Sequence, residues 1–165
     1  MTRLLLCALT LWPLIVPAAR AQNAGVTCAG TLSGRTVNGD VTVRAGANCI
    51  LVNTRVSGDV EVARDGQVTL RNSEVGGDVQ GEDGFRALVL TGSVVRGDVD
   101  AERGRHVVMS NTRVEGDVEL KLNTGTVRLE RVTVNGDLEC ENNTRVPEWR
   151  DNRVQGQREG QCRAP

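Results

Sequence analysis

The sequence has no tyrosine, and beyond its first 21 residues it holds one phenylalanine, Phe85, and one tryptophan, Trp149. Any core must therefore be built from aliphatic side chains. The same shortage removes the stacked aromatic platforms on which sugars and single-stranded nucleic acids are usually held. There is one histidine, His106, and all but one of the basic residues are arginine. With 20 basic against 21 acidic side chains there is no overall field to attract nucleic acid or an anionic membrane. After Val16 no run is apolar enough to cross a bilayer, so no transmembrane segment is expected.

The start of the chain is of a different kind. Met1-Thr2-Arg3 precedes an apolar block from Leu4 to Val16, and the block ends at Ala19-Arg20-Ala21. A short positive start, an apolar stretch too short to span a membrane and a small-x-small ending describe a secretory signal peptide over residues 1–21, cut before Gln22. Cys7 lies inside this segment without the small neighbour a lipid-attachment site requires. A periplasmic or secreted product covering residues 22–165 is the expectation.

What the rest of the chain has is a repeat. The glycine of Gly-Asp-Val falls at Gly39, Gly58, Gly77, Gly97 and Gly116, then at Gly136 as Gly-Asp-Leu, with a worn copy at Gly156. The intervals are 19 or 20 residues throughout. Two residues before each glycine stands a valine, from Val37 to Val154, and two after stand Val41, Val60, Val79, Val99, Val118 and Leu138. This period-two alternation predicts a half-buried strand running through the glycine. Seven and nine residues before the glycine, Leu51, Leu70, Leu90 and Leu129 alternate with Cys49, Val68, Leu88 and Val127, which predicts a second short strand.

Between these strands the apolar parity shifts by one, which requires a corner. Asn53, Asn72 and Asn111, with Gly34 and Gly92, occupy it, and both residue types tolerate a left-handed bend. A ladder of stacked Asn amides is expected there, interrupted by Arg131 and Asp151. All length variation falls in the polar links after the repeat: 44–48, 63–67, 82–87, 102–106, 121–126 and 141–146. Helices compete poorly, because Gly recurs in every unit and no apolar face has helical spacing. A β-sandwich would not keep one register across seven copies. The fold expected is all-β, a single-stranded parallel β-helix of about seven coils over residues 30–156, a rod of roughly 30 Å, with a polar tail at 157–165.

The repeat Val56-Ser57-Gly58-Asp59-Val60-Glu61-Val62 resembles the coil repeat of bactofilins and related polymer-forming β-helix proteins. The resemblance covers residues 30–156 and implies an end-to-end polymer of structural rather than enzymatic character, here in an exported variant.

The residues that could carry chemistry are few. Asp40, Asp59, Asp78, Asp98, Asp117 and Asp137 would stack one strand spacing apart, and like charges so close need neutralising. Arg55, Arg96, Arg113 and Arg153 could do this, as could a row of divalent cations. The plainer reading is a turn device in which each Asp accepts hydrogen bonds from bend amides. No spacing matches a calcium loop, and neither a metal site nor a cofactor is expected. His106 sits alone in a surface turn, so no enzyme and no small-molecule substrate are expected. Thr and Ser on the outer side of the second strand are too irregular for an ice-binding row. Ile50, Val52, Val89 and Val108 on that side are either covered by neighbouring segments or form a lateral contact.

Cys28, Cys49, Cys140 and Cys162 remain after processing. Their separations of 21 and 22 residues place each pair on successive coils, predicting Cys28–Cys49 and Cys140–Cys162 bridges that pin the two ends. Two functions follow from this reading: a self-assembling envelope protein, forming a homo-oligomer or end-to-end polymer, or a monomeric binding module or adhesin that holds cations on its stacked Asp residues.

Overall fold

The computed structural model describes residues 25–163, so the segment expected to be a signal peptide lies outside the described residues. Every element within them is a β-strand of two to five residues, and all pairings are parallel. The strands form three sheets of eight, seven and seven members, and chain order runs from one sheet to the next and back. This is a three-sided β-solenoid of seven coils with one strand of an eighth.

Face A holds the strands that follow the Gly-Asp pair, such as Val60–Val62 and Val118–Lys121. Face B holds the longer strands, such as Gln67–Arg71 and Ala87–Thr91. Face C holds two-residue strands such as Glu74–Val75 and Arg113–Val114. Face A extends beyond the repeat at both ends, through Val26–Cys28 and Arg158–Gly160.

One expectation needs correction. The strand predicted to run through each Gly-Asp pair is two strands on two faces, with the pair forming the corner between them. Val37 ends one strand and Val41 begins the next, each buried. Their separation of four residues is even, so a straight strand and a bent one place both valines inward and read alike in sequence.

The core is a set of parallel columns. Val41, Val60, Val79, Val99, Val118 and Leu138 follow one another in register on face A, all essentially inaccessible to solvent. Each such side chain contributes roughly 1.5–3 kcal/mol by leaving water. Phe85 is also fully buried, in the widened link between Val79–Gly81 and Ala87–Thr91. An alanine Cβ at Gly81 would stand 2.4 Å from its ring and one at Gly104 2.0 Å, so the glycines of adjacent strands and links create the space it fills.

Both disulfides are present, Cys28–Cys49 and Cys140–Cys162, with Cα atoms 5.5 and 5.2 Å apart. The register explains why a two-residue offset suits them. Cys49 pairs with Gly30, two residues after Cys28, and Cys140 pairs with Gly160, two residues before Cys162. Each bridge thus ties an end coil to its neighbour across a bend. For loops of this size, replacing either pair by serine is expected to cost about 3 kcal/mol through restored chain entropy. Urea unfolding of the serine variants measures this, and native-state amide exchange should show the end coil opening before the middle ones. Uniform exchange along the rod would contradict a local pinning role.

Candidate functional site

The Gly-Asp corner is the most repeated chemical feature, and its geometry is structural. The Oδ1 atom of each Asp accepts the backbone N–H of the residue one coil on: Asp40 from Asp59 at 3.0 Å, Asp59 from Asp78 at 2.8 Å, Asp98 from Asp117 at 2.8 Å. The series closes when Asp137 accepts from Gln157 at 2.7 Å. A charged acceptor on an N–H donor is stronger than a neutral one, so the column stitches the coils together along the axis.

The glycine is the other half of this device. A Cβ at Gly58, Gly77, Gly97 or Gly116 would lie 1.8–2.0 Å from the Oδ1 of the preceding coil's Asp. Glycine is needed there for close approach and not for its backbone freedom. Of the four arginines expected to neutralise the column, none forms an ion pair with it among the described residues. Arg55 and Arg96 both clamp Glu74, at 2.7 Å each, on face C. The Arg96 guanidinium, helped by Arg55, holds the Glu74 carboxyl below the usual range.

The corner occupied by Asn53, Asn72 and Asn111 has the expected left-handed backbone, with φ of 47°, 48° and 49°, and Arg131 and Asp151 adopt it as well. The amide ladder is elsewhere. Asn123 and Asn143 are buried in the links, where the Asn143 Oδ1 accepts from both Nδ2 and the backbone N–H of Asn123 at 3.0 Å. Gln161 continues the ladder on Asn143. Its trace in the sequence is an Asn-Thr pair recurring at a 20-residue interval, Asn123-Thr124 and Asn143-Thr144. A second column, legible in the sequence as a small hydroxyl four residues before the repeat glycine, is Thr54, Ser73, Ser93 and Thr112. Thr54 N–H donates to the Ser73 Oγ at 3.1 Å and Ser73 N–H to the Ser93 Oγ at 3.2 Å. These small hydroxyls follow the left-handed corner and satisfy backbone donors that the bend takes out of the sheets.

His106, expected in a surface turn, instead opens the strand His106–Ser110, and its Nδ1 accepts the Thr126 N–H at 3.1 Å, so it too joins one coil to the next. On face B, Ile50, Val52, Val89 and Val108 are half-buried and Thr69 is buried between them. Arg86 crosses one edge of that face to reach Asn48, two coils away.

Among the described residues, carboxylates converge at one place, the C-terminal half of face A. Ligand oxygens of Asp100, Glu102 and Glu119 come within 4.8 Å of one another. Beside them Lys121 bridges Glu119 at 3.0 Å and Glu139 at 2.5 Å, and these two, Glu139 foremost, hold its ammonium well above the ordinary lysine range. A shallow groove of about 140 Å³ runs on between Asp117, Glu119, Asp137, Glu139 and Glu159. Asp100 Oδ1 is buried with no hydrogen-bond partner. Burial first, then the charges of Glu102 and Glu119, push the Asp100 carboxyl above its usual range.

A carboxyl whose folded pKa is raised binds its proton more tightly in the folded state, so its contribution to stability falls as pH rises through the window between unfolded and folded values. Asp100→Asn is therefore expected to stabilise the protein at neutral pH by about 0.5 kcal/mol, the size of a cross-strand charge pair. The difference from wild type should shrink as pH drops toward the carboxylate range. Thermal midpoints of both proteins against pH test this; a gap independent of pH would refute the electrostatic cause.

No protein-family model, curated protein or solved structure matches the chain. The class defined by the architecture is a disulfide-bonded parallel β-solenoid. Two disulfides are consistent with an extracytoplasmic protein. No helix among the described residues is long and apolar enough to cross a membrane.

Proposed function

We propose that this is an exported structural protein of the cell envelope, a bactofilin-like rod without enzymatic activity that assembles end to end. One observation carries the reading: the recurring polar residues are consumed in joining coil to coil. The Asp column, the Ser/Thr column, the Asn123–Asn143–Gln161 ladder and His106 each hand a hydrogen bond along the axis. The described ends of the rod carry strand edges with no further coil, at Val26–Cys28 and Arg158–Gly160, and such edges are templates for another chain. The leader at residues 1–21 supports export, and the periplasm or exterior is where the bridges would persist.

Electron microscopy and light scattering of the purified, oxidised protein test the assembly. Filaments that lengthen with concentration are the expected result. A monodisperse particle of one chain's mass at high concentration would end the polymer reading.

A second reading, a monomeric module that holds a cation, is favoured by the convergence of Asp100, Glu102 and Glu119. The Asp column supports it less than its sequence suggested, because each Oδ1 already accepts a backbone N–H. A cation bound only by the folded rod must raise its melting temperature, so a calcium titration against chelator decides this reading. An unchanged melting temperature removes it.

A further inference from the structure

The balanced net charge conceals a separation by face. On the last four strands of face A the outward positions carry Asp100, Glu102, Glu119, Glu139, Glu141 and Glu159, against the single cation Lys121. Asp98, Asp117 and Asp137 line the adjoining corner, all exposed. Face C is opposite in sign over the same part of the rod. Arg96, Arg113, Arg131 and Arg153 stand on coils four to seven, with Glu115 and Asp151 as the acidic residues among them. Arg113 and Arg153 are exposed and form no ion pair among the described residues.

The two faces meet at the Gly-Asp corner and point in different directions, so they do not neutralise each other within one molecule. Both consist of strands about 4.8 Å apart, and on face C Arg113 and Arg153 share one register position with Thr133 between them, so these cations recur at every second strand. A face with a carboxylate on every strand is complementary to one of net positive charge whose free cations recur at twice the same step.

We propose that rods also associate side by side, the acidic half of face A docking on the arginine-bearing face C of a second copy that runs level with it in the same direction. Each of these face A strands follows the corresponding face C strand directly across the Gly-Asp corner, so level rods set the last four strands of one face against the last four of the other. The contact is heterologous, since each partner uses a different face, and leaves one A and one C face unpaired for further copies. Joined to end-to-end assembly, on which this proposal rests for its biological setting, it yields a layer rather than a thread. A single contact is weak, being narrow, polar and screened by salt.

The test uses the oxidised full chain in two charge-reversed forms. Glu141→Lys with Glu159→Lys alters face A, and Arg113→Glu with Arg153→Glu alters face C. These side chains are exposed and hold none of the axial hydrogen bonds, and circular dichroism confirms that each variant is folded. Sedimentation velocity at low salt should show lateral association of wild type, weakened about tenfold or more in each variant. An equimolar mixture of the two variants should recover it, because reversed A meets reversed C. Association of either variant equal to that of wild type, or a mixture no better than its components, overturns the proposal. The end-to-end reading is scored separately by microscopy. Single-width filaments persisting in the variants uphold it, and side-by-side pairs without filaments in wild type would sink it while sparing the lateral contact.

Discussion

Gly116→Ala is expected to destabilise the rod by about 3 kcal/mol or more, at the upper end of what overpacking a tight site costs. Its added Cβ would meet the Asp98 Oδ1 at 2.0 Å and the Gly97 backbone oxygen and carbon at 2.8 and 2.9 Å. The first contact could be relieved by turning the Asp98 side chain. That turn would strip the Asp117 N–H of its acceptor. The second contact involves backbone on both sides and has no such escape.

A double-mutant cycle separates the two. Asp98→Ala alone should cost about 1–2 kcal/mol, for a donor left without its charged partner. Adding Asp98→Ala to Gly116→Ala should then recover only part of the loss, because the backbone contact persists. Full recovery would mean that the carboxylate was the sole obstacle. Gly34→Ala makes a useful control. Gly34 has φ of 62° and nothing within 4 Å of the place an added methyl would occupy, so only left-handed backbone strain of about 1 kcal/mol is at stake. The two glycines answer different physical demands.

Phe85→Ala should cost about 3–5 kcal/mol, the range for emptying a buried aromatic site. The ring is fully inaccessible, and rigid backbone of neighbouring coils limits how far the site can collapse. Reciprocity provides the sharper check. Gly104→Ala, whose methyl would stand 2.0 Å from the ring in wild type, should be severely destabilising alone and markedly better tolerated with Phe85→Ala. Urea midpoints of the two single variants and the double variant supply the coupling. A loss below about 1 kcal/mol for Phe85→Ala would show that the ring does not support the core.

Much of the architecture was readable because a solenoid writes its geometry as a period. Columns such as Leu51, Leu70 and Leu90 recur at the coil length, so their shared burial follows from alternation alone. The cysteine pairs were readable for the same reason, since separations of one coil plus about two residues admit a bridge. Corners were harder. Asn at 53, 72 and 111 marked a left-handed bend correctly, yet the same residue type at 123 and 143, in links of variable length, formed the buried ladder. Exposure decided between them. An amide at an outer bend has water to bond, whereas one turned inward must find every partner within the protein.

The sequence by itself determined the coil length, the number of coils, the inward columns and the end bridges, because each depends on spacing along a chain with one structural period. Only the tertiary structure decided that the rod has three sides, that Gly-Asp is a corner, and that its glycine is required by the aspartate of the preceding coil. The separation of acidic and basic faces belongs to the same class. An even spacing of buried residues is indifferent to a bend between them, and a net charge is indifferent to direction. Both become definite only when the chain turns three times per coil and sets distant residues about 4.8 Å apart.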